Sequence, residues 1–385
     1  MPFHPDEDEL RKPFGPLVNA QAFRYWYSGI PQCQQVWPVG VVAWVAMSVL
    51  AIIWGLGGPK EMQKHVLPLV IAGALAISAG SAFAADIKIG FLPGTVDPFY
   101  QVMQLGVEKA AKDLGVEVVT QIPPTWGVEA QAPLLDALVA RGDLNYLIAV
   151  PVDSQQMIAP LQAASEAGIK VIDVDTFMAD GDYENGPVKF PLTYIGSDNE
   201  AGGAFAAQGL AKAIGDKGTV YINSVTPNIA SVELRVKGFK EEMAKHPNIK
   251  VIGPDYNDDD LNKATQQTSA VIEQNPDLAG VFGSNVFSAQ GAGNAVVNAG
   301  LSGKVQVVAY DATKDAIEMM GKGDISMALA QKPFDMGYLA VEFAVADAAG
   351  VTSLPKRLKT GFAIIDKSNM ADPNYARFIY QVPGK

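Results

Sequence analysis

The sequence has one cysteine, Cys33, and three histidines, of which only His246 lies beyond residue 85. Residues 85–385 therefore have no thiol for a disulfide, a thiolate nucleophile or a Cys-ligated metal, and no pair of imidazoles for a zinc site. His246, in Ala244-Lys245-His246-Pro247, falls at an expected helix end, where a solvated cation suits the helix dipole. Basic residues are also scarce, with 29 Lys and Arg against 41 Asp and Glu, for a formal net charge of −12. Five of each sign precede Ala85, so the whole acidic excess belongs to residues 85–385. That balance argues against nucleic acid or an anionic membrane surface as a partner. Phosphate-binding glycine motifs are missing as well. There is no Walker A sequence, and Gly291-x-Gly293 is followed by Val296 where a dinucleotide fingerprint needs its third glycine. Asp255-x-Asn257-x-Asp259 starts like a calcium loop, but Asp260 stands where glycine is required and Gln266 where the bidentate glutamate is required. No metal and no cofactor are expected.

Residues 62–84 have the three parts of a secretory signal peptide. Lys64 gives a positive start, residues 66–79 a short apolar core, and Ala82-Phe83-Ala84 a small-x-small cleavage site before Ala85. The expected location of the remainder is the periplasm. Residues 1–61 form an upstream extension of different composition, with an acidic run at 6–9 and an uncharged apolar stretch at 36–56. That stretch is roughly long enough to cross a bilayer. Two readings stand: a membrane tether through a helix at 36–56, or translation that starts at Met62 and leaves the extension unmade.

From residue 87 onward, short apolar runs alternate with segments of helical period, as in βαβ units around a parallel sheet. Strands are predicted at 87–92, 116–121, 146–150, 170–174, 193–195, 219–223, 250–252, 278–282, 305–309 and 325–329. Helices are predicted at 99–114, 130–141, 154–167, 201–214, 229–245, 261–274, 289–299, 314–321 and 333–349. About ten strands exceed one compact α/β domain, so the fold class expected is α/β with two doubly wound parallel-sheet lobes. Residues 85–196 with about 332–360 would form the N-terminal lobe, and 197–331 with about 361–385 the C-terminal lobe, joined by several short crossings.

Ligands of open parallel sheets bind beyond the carboxyl ends of the strands. Those positions hold Thr95, Asp97, Phe99 and Tyr100; Asp173, Asp175 and Thr176; Ser284 and Asn285; Asp311; and Gln331. A single Asp there is ordinarily the N-cap of the next helix; Asp198 suits capping or hinge structure, and Asp173 a group behind the binding residues or at the surface. A full set of carboxylates and amides beside aromatic rings suits a neutral polyhydroxylated solute. Carboxylates accept hydroxyl hydrogens, amides donate and accept, a guanidinium donates in a fork, and ring faces cover C–H patches.

Asp97-Pro98-Phe99-Tyr100, Val174-Asp175, Ser197-Asp198-Asn199, Arg235-Val236-Lys237-Gly238-Phe239, Asn285, Asp311 and Gln331 resemble the periplasmic sugar-binding proteins of ABC importers, of the ribose- and galactose-binding type. The resemblance runs through residues 87–365 and implies the type I periplasmic-binding-protein fold, with a multi-crossing hinge. It assigns a polar contact to Asp97, ring stacking to Phe99 and Tyr100, and hydroxyl binding to Asp175. Arg235 would reach into the cleft from the second lobe, and Asn285, Asp311 and Gln331 would complete the hydroxyl shell. This chain departs from ribose binders in two places. Thr176 replaces an Arg, and the run Tyr256-Asn257-Asp258-Asp259-Asp260 replaces an aromatic, with Asp258 taken as the cleft residue from among the three aspartates. Trp126 suits a further lid or plain packing.

The resemblance implies a monomeric receptor, not an enzyme, that binds a monosaccharide or polyol and delivers it to an ABC permease and its ATPase. The rival reading is a periplasmic sensor that presents the solute to a chemoreceptor or histidine kinase. A repressor of the same fold needs an N-terminal helix-turn-helix, where this chain has the signal peptide. A carboxylate pair for glycoside hydrolysis must flank a scissile bond, which this architecture does not offer.

Overall fold

The computed structural model describes residues 87–382. The upstream extension, its apolar stretch at 36–56 and the signal peptide at 62–84 lie outside them. Among the described residues no helix is long and apolar enough to cross a membrane.

The first lobe is built from β1 (Lys88–Leu92), α1 (Pro98–Leu114), β2 (Glu117–Thr120), α2 (Val128–Ala140), β3 (Tyr146–Ala149), α3 (Ile158–Glu166), β4 (Lys170–Val174) and β5 (Thr193–Gly196). The second contains α4 (Asn199–Ala213), β6 (Gly218–Ser224), α5 (Ala230–Met243), β7 (Ile249–Tyr256), α6 (Leu261–Gln274), β8 (Leu278–Gly283), α7 (Val286–Asn298), β9 (Gln306–Tyr310), α8 (Lys314–Lys322) and β10 (Met327–Ala330). The chain then gives α9 (Pro333–Ala348) and β11 (Arg357–Lys359) to the first lobe, and β12 (Ala363–Asp366) to the second, before a short α10 (Pro373–Ala376). The sheet orders are β11-β5-β4-β3-β1-β2 and β12-β10-β9-β8-β6-β7, the same doubly wound order twice. Every pairing is parallel except β10 with β12.

Both faces of each sheet are covered, so the central strands are largely apolar. In β3, Tyr146 and Ile148 pack under α1 and α9, while Leu147 and Ala149 pack under α2 and α3. In β9, Val307 and Ala309 face α7 and α8, while Val308 and Tyr310 face α4 and α5.

The strands at 357–359 and 363–366 are not legible as runs, because three or four half-exposed edge residues give no period to read. The strand predicted at 250–252 runs on to Tyr256 through Pro254. Since β7 is an edge strand, a missing N–H is tolerated there. The helix predicted from 154 begins at Ile158. Asp153 accepts the N–H groups of Gln155 and Gln156 at 2.8 and 2.7 Å and folds residues 154–157 into a turn.

The two lobes share a packing device. Cβ atoms added at Gly203 and Gly238 would lie 2.0 Å from the carbonyl oxygens of Arg235 and Glu200, so α4 and α5 touch backbone to backbone. In the first lobe, Gly106 and Gly337 let α1 and α9 approach in the same way, with a Cβ meeting Phe334 and Met103 carbonyls at 2.1 and 2.3 Å. These pairs matter for function because α1 and α5 deliver cleft side chains. The chain passes between the sheets three times, after β5, after β10 and after β11. Asp198 at the first crossing pairs with Lys359 at the third at 2.7 Å, and its side chain makes no cap hydrogen bond.

Gly238→Ala adds about 1 kcal/mol of helix propensity. It also forces a methyl group into a backbone carbonyl that cannot swing away. The expected net result is a loss of about 2 kcal/mol, read as a lower thermal midpoint by circular dichroism. An unchanged or raised midpoint would show that α4 and α5 do not pack this closely.

Candidate functional site

The carboxyl ends of the two sheets face each other across a cavity whose empty space, counted out into open solvent, is about 390 Å³. Eight of the nine residues expected at the site line it: Asp97, Phe99, Tyr100, Asp175, Arg235, Asn285, Asp311 and Gln331. Asp258 does not. It is exposed and pairs with Lys263, while Asp260 caps α6 by accepting the Lys263 N–H at 2.7 Å. The carboxylate that lines the cavity is Asp259, between them, which accepts from Asn285 Nδ2 at 2.6 Å. Three successive side chains leave the backbone in different directions, and only the position of α6 selects one of them.

Backbone conformation aims several of these groups. Asp175, Asp259 and Asp311 have φ of 64°, 59° and 84°, a left-handed region that Asp enters more readily than most side chains. Capping and cavity lining also coincide. Asp97 Oδ1 accepts the Tyr100 N–H at 2.8 Å and Asn285 Oδ1 the Ser288 N–H at 3.0 Å, while both side chains line the cavity. At these two positions the N-cap and the cavity wall coincide.

Arg235 is the cation at the centre. Its Nε donates to Asn199 Oδ1 at 2.8 Å and one terminal nitrogen donates to the Ser284 carbonyl at 3.0 Å. The guanidinium lies 4.0 Å over the Tyr310 ring, and its other terminal nitrogen is 3.8 Å from Asp175 Oδ1 in the opposite lobe. Asp175 Oδ2 accepts from the Tyr100 hydroxyl at 2.7 Å. Asp311 Oδ1 accepts from Gln331 Nε2 at 2.8 Å and from the Tyr380 hydroxyl at 2.7 Å. Two buried acceptors in the cavity, Asp175 Oδ1 and Gln331 Oε1, take no hydrogen bond from the protein. Such atoms are costly unless a ligand or water supplies a donor.

Burial lifts every cavity carboxyl above the ordinary carboxylate range. Asp175 is pushed up to about 6, with the Arg235 charge and the Tyr100 hydrogen bond opposing. Asp259 is pushed up to about 7, with the charge of Asp311 adding to burial. Asp97 is raised well above its usual value by burial and then by the charge of Asp259, and Asp311 is raised by burial against the pull of Arg235. Among the described residues no three His, Cys, Asp or Glu side chains sit close enough to hold a metal ion.

The aromatic wall is a continuous cluster of rings. Phe99 meets Tyr100 edge to face at 5.0 Å, and Tyr100 lies nearly parallel to Trp126 at 6.2 Å. Trp126 lines the cavity and packs as well. Its Nε1 donates to the Val152 carbonyl at 3.1 Å, and its ring seals against Val225, Ile229 and Val232 of the second lobe. Asn199, Tyr310 and Tyr380 are not among the site residues expected from sequence. Asn199 closes the motif Ser197-Asp198-Asn199 and Tyr310 precedes Asp311, but nothing local marks Tyr380. Asp173 is fully buried, which rules out the surface alternative and leaves it a group behind the cavity wall. It accepts from the Tyr183 hydroxyl, and burial lifts it to about 8.

Two doubly wound lobes closed over a cavity of carboxylates, amides and rings define a solute-binding protein. A family model described as a periplasmic binding protein domain matches residues 89–351, and the chain belongs to that family. It is 30% identical to the D-allose-binding periplasmic protein of Escherichia coli K12 over 293 residues, which are 74% of this chain and 92% of that protein. The ribose import binding protein of the same organism is 28% identical, over 73% and 92% of the two chains. Among solved structures, an ABC transporter solute-binding protein from Agrobacterium vitis with bound α-D-tagatopyranose is 45% identical. That match has a TM-score of 0.75 and covers 77% of this chain and 99% of the other. A solute-binding protein from Actinobacillus succinogenes with bound D-allose is 30% identical, with a TM-score of 0.67 over 73% and 98% of the chains. Proteins of this family are exported to the periplasm.

Trp126→Ala removes a half-buried ring that joins the lobes. A loss of about 2 kcal/mol is expected, below the range for a fully buried tryptophan, and is measured as a fall in thermal midpoint. No change would show that the contact with Val225, Ile229 and Val232 contributes nothing.

Proposed function

We propose that this chain is the solute-binding subunit of an ABC importer, capturing one monosaccharide or closely related polyol between its lobes and handing it to the permease and its ATPase. The single observation that carries this reading is the cavity itself, where hydroxyl-binding groups from both lobes converge beside a cluster of aromatic rings. Asp97, Asp175, Asp259, Asn285, Asp311 and Gln331 would hold hydroxyls, Arg235 an acceptor oxygen, and Phe99, Tyr100 and Trp126 the ring face. The sugar bridges both lobes, so it binds the closed form more tightly than the open one and shifts the population toward closure. The 45% identity to a protein with bound tagatopyranose makes a hexose pyranose the first candidate. Residues 62–84 would direct export, and the mature receptor would act as a periplasmic monomer. It would act as a binder rather than an enzyme, a reading supported by relatives that are sugar-binding transport proteins.

The test is the thermal midpoint of the purified protein against D-tagatose, D-allose, D-arabinose, D-ribose and D-sorbitol. One of them is expected to raise it by several degrees, since ligand at about 100 times its Kd adds about 2.7 kcal/mol to the native state. A shift only with amino acids, peptides or other non-sugars would keep the fold and overturn the ligand class.

Arg235→Ala is expected to weaken binding of the active sugar at least tenfold by calorimetry, because it removes a charge-assisted donor from a desolvated site. It also strips the Ser284 carbonyl of its donor and leaves Asn199 Oδ1 with only the Tyr310 hydroxyl at 3.3 Å, so the unliganded protein should melt earlier as well. Unchanged affinity would remove Arg235 from the site.

A further inference from the structure

Behind the cavity wall the second lobe holds a chain of buried amides and hydroxyls. Asn223 on β6, Asn257 after β7 and Ser288 on α7 are fully buried, and none of the three lines the cavity. Backbone groups at the two ends set the direction of every hydrogen bond in the chain. At the outer end Gln267 Nε2 on α6 donates to the Tyr256 carbonyl at 2.8 Å, which turns Gln267 Oε1 inward to accept from Asn223 Nδ2 at 3.0 Å. Asn223 Nδ2 also donates to the Tyr221 hydroxyl at 3.0 Å, and Asn223 Oδ1 accepts from Asn257 Nδ2 at 2.5 Å. The other hydrogen of Asn257 Nδ2 goes to Ser288 Oγ at 2.7 Å, and Ser288 Oγ donates to Asn285 Oδ1 at 2.6 Å. Asn285 Nδ2 donates to Asp259 Oδ1 at 2.6 Å, and the Asp259 N–H returns to Asn257 Oδ1 at 2.8 Å. Asn257, Ser288, Asn285 and Asp259 thus close a ring, and two of its members face the cavity.

The ring acts on each of those two. Asp258 and Asp259 have φ of 57° and 59°, and two successive side chains in the left-handed region are costly unless the surroundings fix them. Asn257 Oδ1 holds them in an Asx turn, while the N–H groups of Asn257 and Asp258 bind the Ser224 and Val225 carbonyls at 2.9 and 2.8 Å. The position of α6 selects Asp259, and Asn257 keeps its carboxylate there. Ser288 fills both lone pairs of Asn285 Oδ1, with its N–H at 3.0 Å and its hydroxyl at 2.6 Å, so the amide offers the cavity only an N–H. A donor then stands beside the acceptor oxygens of Asp259. One hydroxyl group, which donates and accepts at once, satisfies both, whereas a turned amide would set two acceptors against its single hydrogen.

We propose that Asn257 and Ser288 are positioning residues that fix Asp259 and Asn285 as a donor–acceptor pair for one hydroxyl of the bound solute. The inference rests on the sugar reading of the cavity and adds to it two residues outside the wall and the polarity of one contact. Their influence on binding runs only through Asn285 and Asp259, and that route separates positioning from plain support of the lobe.

The experiment is a double-mutant cycle read by titration calorimetry, with whichever of D-tagatose, D-allose, D-arabinose, D-ribose and D-sorbitol binds the native protein most tightly. The thermal midpoint of each unliganded variant is measured alongside. Ser288→Ala is expected to raise the Kd about fivefold and Asn257→Ala about tenfold or more, as one and two hydrogen bonds of the ring are lost. In an Asn285→Ala background, Ser288→Ala is expected to raise the Kd no more than about 1.5-fold, because the group it orients is gone. Ser288→Ala carries the test by itself if Asn257→Ala does not fold. Lower thermal midpoints with an unchanged Kd overturn this inference and leave the sugar reading standing, since the ring then only supports the lobe. An equal rise in Kd with and without the Asn285 side chain overturns it also, because Ser288 then acts by another route. Failure of all five solutes to bind the native protein takes down the sugar reading, and this inference with it.

Discussion

One buried guanidinium organises the space between the lobes. Arg235 is 3% exposed, fixed by an amide from the start of α4, a carbonyl at the end of β8 and the face of Tyr310 on β9. A charge in that position is tolerated only with fixed partners, and the second lobe supplies these three. The remaining nitrogen looks across the cavity toward Asp175 of the first lobe at 3.8 Å, a separation that a ligand oxygen can bridge. The residues expected at the site are arranged around this one side chain.

The guanidinium can be placed so closely because the helices that carry the site are held backbone to backbone. Gly203 and Gly238 seat α5 against α4, and α4 in turn carries Asn199, the acceptor for Arg235. In the first lobe Gly106 and Gly337 seat α1 against α9. Rigid lobes and three thin crossings are what a closing receptor needs, since motion is then confined to the crossings while the half-sites keep their shape. The Asp198–Lys359 pair spans two of those crossings on the surface, where an ion pair is worth at most about 1 kcal/mol and can open without large cost.

The site also shows why capping and binding are not competing explanations. Asp97 and Asn285 satisfy the free N–H groups of α1 and α7, and that duty locks their rotamers with the side chain at the cavity wall. A ligand oxygen at that wall would meet a group already ordered, so little further entropy would be lost on binding.

Much of this protein is set locally. The alternation of apolar runs with helical periods marks the strands and helices, because burial on both sheet faces demands unbroken apolar strands such as residues 146–149. Two lobes follow from the number of strands. Cavity residues at strand ends are legible because a parallel sheet sends its carboxyl ends to one edge, which is why Asp97, Asp175, Asn285, Asp311 and Gln331 stand out. Long-range packing decides the rest. Which of Asp258, Asp259 and Asp260 faces the cavity depends on where α6 starts and where Lys263 lies, and no period within the run records it. Tyr380 reaches Asp311 from 69 residues away, and the edge strands at 357–359 and 363–366 exist only because β5 and β10 offer them partners. The sequence by itself determined the fold class and the chemistry of the cavity wall, since both follow from local pattern and residue type. Only the tertiary structure decided the balance of donors and charge inside the cavity, because that balance is a property of side chains from eight separate segments brought within a few ångströms of one another.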